Sequence, residues 1–181
     1  MKYFRKLAGK RIYLSPINAE DVEQYVAWLN DPVVTDRTGS VSKVISLDSE
    51  KEWLSKNNTR YQFAIVNNNE DKLIGSCGFN EMDQIHRSGT VGIFIGDKEN
   101  RGKGYGTETL NLLLKYGFDS LNLHSINLNV FSFNEQAMAC YKKCGFKEAG
   151  RMREAYFCNG KFHDIIKMDI LENEFRDART N

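Results

Sequence analysis

Apolar residues recur along this chain with two different periods, and the switches between them outline its elements. Val22, Tyr25, Val26 and Leu29 fall at offsets of 3, 4 and 7, the stripe of an amphipathic helix over Ala19 to about Asn30. Asn18 stands where a capping side chain belongs, and Asp31-Pro32 is expected to end the helix. Arg11–Leu14 before it reads as a strand stopped by Ser15-Pro16. Polar Thr35–Lys43 after it reads as a loop, and Ser46 or Asp48 opens a second helix to about Lys56. Tyr61–Val66, Leu73–Phe79 and Val91–Ile95 are strand-like runs, separated by the polar turns at Asn67–Asp71 and Asp83–Ser88. A helix over Thr107–Leu121 is expected to bury Leu110, Leu113, Leu114, Phe118 and Leu121. A strand at Ile126–Phe131, a helix at Asn134–Cys144 and strands near Arg151–Phe157 and Lys161–Leu171, joined at Asn159-Gly160, complete the series. The pattern predicts an α/β (α+β) domain at 11–175, with a mixed, mostly antiparallel sheet and about four flanking helices. Residues 1–10 form a basic leading segment, and 176–181 a polar tail expected to fray.

Composition narrows the function. A formal net charge of +1 over 181 residues lacks the basic excess of a dedicated nucleic-acid binder. No apolar run approaches the roughly 18 residues of a membrane span. No apolar segment follows the basic Lys2, Arg5, Lys6, Lys10 and Arg11, so a secretory leader is not expected and the cytoplasm is the simplest location. Cys77, Cys140, Cys144 and Cys158 form no CxxC pair, and His86, His124 and His163 lack a metal-ligand spacing, so no metal is expected.

The chemistry concentrates after the Val91–Ile95 strand. Arg101-Gly102-Lys103-Gly104-Tyr105-Gly106-Thr107 places a glycine loop between that strand and the following helix. Glycine lets the backbone approach a phosphate, and the start of a helix presents N–H groups and about half a positive charge. The spacing fits neither the Walker A loop nor the G-x-G-x-x-G dinucleotide fingerprint, whose last glycine would fall on Thr107. It reads instead as R-x-x-G-x-G over Arg101, Gly104 and Gly106, a site for a pyrophosphate-bearing cofactor. A second block lies about thirty residues on. Asn134 is placed as a helix cap, with Ala137, Met138 and Tyr141 following on one face and Gly145 ending the helix.

The two blocks, in this order and spacing, resemble the GCN5-related N-acetyltransferases (GNAT). The segments Leu121–Ile126, Gly145–Gly150 and Tyr156–Asp164 are similar to the RimJ/RimL-type branch, which includes ribosomal-protein and spermidine N-acetyltransferases and resembles aminosugar N-acetyltransferases. The resemblance implies a GNAT fold with a splayed strand pair and acetyl-CoA as cosubstrate. Pantetheine is then expected against Ile93, Phe94 and Ile95, the pyrophosphate against Arg101, Gly102, Lys103, Gly104, Tyr105, Gly106 and Thr107, and further contacts from Asn134, Ala137 and Tyr141. It also implies Tyr141 beside the thioester sulfur, assisting the departing thiolate, with direct attack by the amine. Such chains often carry a glutamate where this one has Thr90, which cannot deprotonate an amine. Glu81 is the expected base instead, with His86 a weaker candidate. The favoured acceptor is an N-terminal α-amine of a protein or peptide, since a pKa near 8 leaves more neutral amine than the 10.4 of a lysine-type amine. Polyamine and aminosugar acceptors, and a CoA-binding module without turnover, stand as alternatives. A homodimer is compatible with the resemblance.

Overall fold

Strands with buried runs, at residues 12–15 and 63–67, and a strand with alternating burial, Ser125–Phe131, are joined in one sheet. The computed structural model of the chain describes residues 1–55 and 60–180. Its strands are β1 (Leu7–Ala8), β2 (Ile12–Pro16), β3 (Gln62–Asn67), β4 (Lys72–Asp83), β5 (Ser88–Ile95), β6 (Ser125–Phe131), β7 (Lys147–Cys158) and β8 (Lys161–Leu171). They lie in the order β1-β2-β3-β4-β5-β6-β8-β7. The β5–β6 pair is parallel, and β1–β2, β2–β3, β3–β4, β6–β8 and β7–β8 are antiparallel. The helices are α1 (Val22–Leu29), α2 (Pro32–Thr38), α3 (Leu47–Ser55), α4 (Tyr105–Asp119), α5 (Glu135–Lys143) and α6 (Glu172–Thr180). The packing divides into two compact units, Met1–Gly78 with Ile93–Thr109 and Phe79–Gly92 with Leu110–Asn181.

The first unit is built around Trp28, with buried Tyr3, Tyr13, Tyr25, Ala64, Val66 and Leu73 in the same cluster and Phe94 packed against it. Trp28 meets Tyr25 and Phe94 edge-on, at centroid distances of 6.1 and 6.2 Å. Asn18 does cap, but the turn it caps is a short 3-10 segment, Ala19–Asp21, that precedes α1. The expected loop from Thr35 needs correction. Asp31-Pro32 ends one helix and begins another, because Asp31 accepts a bond from Val33 N–H at 2.9 Å and proline is well suited to a helix's first position. The helix expected to reach Lys56 is described to Ser55, and Lys56 lies outside the described residues.

Two strands come so close at Gly75 that only glycine fits. A Cβ there would stand 2.2 Å from the Phe94 carbonyl oxygen, a backbone atom that has no rotamer to retreat into. Gly75→Ala is expected to destabilise by about 1–3 kcal/mol, as overpacking does. Thermal unfolding followed by circular dichroism should show a Tm lowered by roughly 2–12 °C, and an unchanged Tm would contradict the packing.

In the second unit α4 buries Leu110, Leu113, Leu114 and Phe118, while β6 buries Ile126, Leu128 and Val130 at every second position. Leu121 was expected in this helix, but α4 ends at Asp119 and Leu123 takes the fully buried place beyond it. β5 starts three residues earlier than its apolar run, which puts Thr90 on the strand. β7 likewise starts at Lys147, ahead of the expected Arg151, because its side chains are exposed along nearly its whole length and leave no apolar signal. Asn159 and Gly160 both take positive φ in the β7–β8 turn, as expected of that pair. The tail expected to fray from Arg176 is helical to Thr180. Phe175 is buried against Phe118 at 5.0 Å, and Arg176 bonds Glu172 at 2.8 Å and Asp119 at 3.3 Å.

Candidate active site

The glycine loop begins where β5 ends. Asp97 caps a 3-10 turn, Lys98–Asn100, by accepting from Glu99 N–H at 3.0 Å, and it pairs with Lys72 at 2.6 Å. Burial pushes the Asp97 carboxyl up, but Lys72, the Glu99 N–H and the Asn100 side chain outweigh it and hold the group below its ordinary value. Arg101 follows in extended backbone, Gly102 and Gly104 take φ of +73° and +82°, and α4 starts at Tyr105. The two left-handed residues turn the chain so that the loop runs directly into the helix. The first N–H groups of a helix have no carbonyl of their own helix to meet, so this arrangement suits an anion.

The charges in the loop are disposed differently from the sequence expectation. Arg101 is turned onto its own strand, donating to Ile95 O at 3.0 Å and Gly96 O at 2.7 Å, with Asp31 at 3.7 Å. In this position it is half-buried and ties the loop to the end of β5. Lys103 is exposed, and its carbonyl accepts from Arg11 Nη1 at 2.8 Å. Arg11 was not among the expected site residues. It also donates through Nε to Glu108 at 2.9 Å, and its guanidinium lies 4.9 Å over the Tyr105 ring. Its position in the leading basic stretch gave no signal of this, since the partners are more than ninety residues away in sequence.

Glu108 takes further bonds from the Arg11 and Ile12 N–H groups, at 2.8 and 3.4 Å. Burial opposes its charge, but these donors and the Arg11 guanidinium prevail and hold the carboxyl below 4.5. A carboxyl with a lowered folded pKa contributes stability above its unfolded pKa, and that stability is lost as pH falls through the folded value. Glu108→Gln is therefore expected to flatten the loss of stability below about pH 4.5. Denaturant midpoints measured from pH 7 to pH 3 check this, and an unchanged slope would contradict it.

Ile93, Phe94 and Ile95 are half-buried at the end of β5, with Phe94 turned towards Trp28. The registered β5–β6 positions are Ser88–Thr90 against Ser125–Asn127, so all three residues lie past the registered part of β5.

In the second unit Asn134 is buried and caps α5, accepting from Ala137 N–H at 3.3 Å while its own N–H donates to Phe131 O at 2.8 Å. Tyr141 lies two turns on, half-buried, its ring edge-on to Phe146 at 6.0 Å. Burial, then the neighbouring Cys140 and Cys144 thiols, push its hydroxyl above the ordinary tyrosine range. It keeps its proton at neutral pH. Full transfer to a thiolate, whose thiol has a pKa near 8.5, is uphill even from an ordinary tyrosine near 10. A hydroxyl of this kind can donate a hydrogen bond but not give up its proton outright.

A cleft of about 330 Å³ opens in the same unit, lined by Glu81, Met82, Asp83, Ser88, Gly89, Thr90, Asn127, Asn129 and Lys167. Glu81 and Thr90 are thus brought together, and their oxygens are 3.3 Å apart. His86 is exposed at the turn after β4, where its N–H donates to Asp83 Oδ1 at 2.8 Å. Asp83, Asn127, Asn129 and Lys167 were missed from the sequence. Asn127 and Asn129 alternate with the buried residues of β6, and that outward polar pair was the available signal.

A sheet of this topology with a glycine loop opening a helix is an arrangement suited to a cofactor that carries a pyrophosphate. The model of the acetyltransferase (GNAT) domain matches residues 11–147, and the chain belongs to the GNAT family. It is 36% identical over 133 residues to a spermidine N(1)-acetyltransferase of Vibrio cholerae, covering 72% of this chain and 76% of that protein. It is 30% identical over 126 residues to a putative ribosomal N-acetyltransferase of Bacillus subtilis, covering 66% and 68%. The crystal structure of the Vibrio cholerae spermidine N-acetyltransferase in complex with CoA and spermine superposes with a TM-score of 0.84 at 28% identity, over 93% of this chain and 99% of that one. The protein is an N-acetyltransferase that uses acetyl-CoA. Among the described residues no helix is long and apolar enough to cross a membrane.

Proposed function

We propose that this enzyme transfers acetyl to a primary amine of a polyamine, with Glu81 as the base. The observation that carries this reading is the Glu81 cleft. Two carboxylates, Glu81 and Asp83, stand with the Thr90 hydroxyl and the Asn127 and Asn129 amides around a space large enough for an aliphatic amine, against one ammonium, Lys167. A cationic chain is attracted by that balance. The spermidine acetyltransferases among its relatives favour the polyamine acceptor over the peptide α-amine expected from the sequence. A polyamine's primary amine, with a pKa near that of lysine at about 10.4, is nearly all protonated at neutral pH and needs a base.

Acetyl-CoA supplies an activated thioester carbonyl. The chain's own residues are proposed to do the rest. Gly102–Thr107 cradle the diphosphate with backbone N–H groups, Lys103 adds charge, and Arg101 and Arg11 hold the loop in shape. The backbone of Ile93–Ile95, which has no registered β6 partner among the described residues, pairs with the pantetheine arm as a strand edge pairs with an extended ligand. Asn134 and Ala137 fix the start of α5, and Tyr141 donates a hydrogen bond to the departing sulfur. Self-association is part of the reading, since one structural relative, 28% identical with a TM-score of 0.79, is a dodecameric spermidine N-acetyltransferase from Vibrio cholerae. The reaction is proposed to take place in the cytoplasm.

Release of CoA thiol, measured against spermidine, spermine, peptides with free N-termini and aminosugars, tests the acceptor. The highest kcat/KM is expected with a polyamine. The second reading, a peptide α-amine, draws on Thr90 in place of a further carboxylate and on the 30% identical relative named for ribosomal acetylation. Turnover of peptides with none of polyamines would establish it, and acetyl-CoA binding with no turnover on any amine would leave a binding module.

A further inference from the structure

Thr90 occupies the middle of a hydrogen-bond chain in which the direction of every bond can be worked out. Thr90 and Asn127 are register partners in the parallel β5–β6 pair, and both lie within the second unit. Asn127 Nδ2 donates to the Gly89 carbonyl at 3.2 Å. A carbonyl only accepts, so the amide's orientation is fixed and Oδ1 faces Thr90 at 3.0 Å. The second oxygen near Thr90 is Glu81 Oε2, at 3.3 Å. An ionised carboxylate also only accepts. One hydroxyl proton therefore faces two acceptors, and the nearer is Asn127.

We infer that Thr90 and Asn127 are positioning residues that act through Glu81, receiving its hydrogen bond once it has taken the substrate's proton. The inference rests on the reading of Glu81 as the base. While Glu81 is ionised, Thr90 cannot satisfy it and Asn127 together. When Glu81 holds a proton, it donates to Thr90, Thr90 donates to Asn127, and Asn127 donates to Gly89, so that every group has a partner. In the reaction one proton of the ammonium passes to Glu81 and on to solvent, the neutral nitrogen forms the N–C bond as the C–S bond breaks, and the second proton that nitrogen loses passes to Glu81. Glu81 later releases that proton to solvent, and the thiolate takes one from solvent. Asp83 of β4 and Lys167 of β8 bring opposite charges to the same cleft, and Asp169 stands across from Asn127 in the β6–β8 register. None of these is altered by a change at Thr90. The threonine that stands where a carboxylate was expected is in this way part of the base's apparatus.

A double-mutant cycle tests this, with spermidine and a free-N-terminus peptide assayed in parallel. Thr90→Val keeps the shape and removes the hydroxyl, and is expected to lower kcat about tenfold with KM little changed, within the range for coupled neighbours. Thr90→Ser should restore most of the loss. Glu81→Gln should lower kcat about 10²-fold, and Thr90→Val added to Glu81→Gln should cost nothing more. Losses that multiply, or a Thr90→Val enzyme equal to wild type, would overturn the inference while leaving Glu81 as base. A Glu81→Gln enzyme with wild-type kcat would remove the base and the inference with it. A preference for peptide over spermidine would revise the acceptor alone.

Discussion

The Tyr141→Phe enzyme is expected to turn over roughly 10²–10⁴-fold more slowly, with nearly unchanged affinity for acetyl-CoA. The substitution keeps the ring, which meets Phe146 edge-on and contributes to the packing beneath α5, and removes one oxygen. Burial holds the proton on that oxygen, so in the proposed reaction the group takes part as a donor. Its interaction with sulfur strengthens as negative charge develops on the leaving group, and a contact stronger in the transition state than in the ground state appears in kcat. Steady-state kinetics and calorimetric titration with acetyl-CoA separate the outcomes. Loss of rate and affinity together would assign Tyr141 to packing, and loss of neither would mean that the sulfur departs without it.

The second large effect is expected at Gly104, where replacement by valine should weaken acetyl-CoA binding about 10²-fold or more. Two changes combine. The φ of +82° is one that a β-branched residue rarely adopts, so the loop must shift. The new Cβ also stands 3.3 Å from the Arg11 guanidinium, which braces the loop through the Lys103 carbonyl. Loss of two charge-assisted N–H bonds to a diphosphate, at about 1.5–3 kcal/mol each, accounts for a factor of that size. Calorimetric titration measures it, and circular dichroism of the same sample shows whether the fold survives. A folded Gly104→Val protein with wild-type affinity would refute the loop's assignment.

The settings of these two residues are legible in the sequence because they follow local rules. A glycine loop between a strand and a helix is readable from residue types alone, as is a tyrosine seven residues after a capping asparagine. The amphipathic stripes of α1 and α4, the Asn134 cap and the Asn159-Gly160 turn were readable for the same reason: each is decided by residues within two or three turns of one another. The local rules failed where two of them met at one place. Asp31-Pro32 terminates one helix and caps the next, and the sequence does not say which role continues. They failed again at β7, whose exposed side chains carry no period.

What only the tertiary structure decided is the company each charged side chain keeps. The sequence by itself determined the class of protein and most of its elements, and it marked the glycine loop proposed to take the cofactor's phosphates, because backbone conformation is set by neighbours in the chain. It did not determine that Arg101 faces its own strand while Arg11, ninety residues earlier, supports the loop. Nor did it show that the Thr90 hydroxyl lies within hydrogen-bond distance of both Asn127 and Glu81. Long polar side chains choose partners by distance in space, and that distance is set only when the strands take their register.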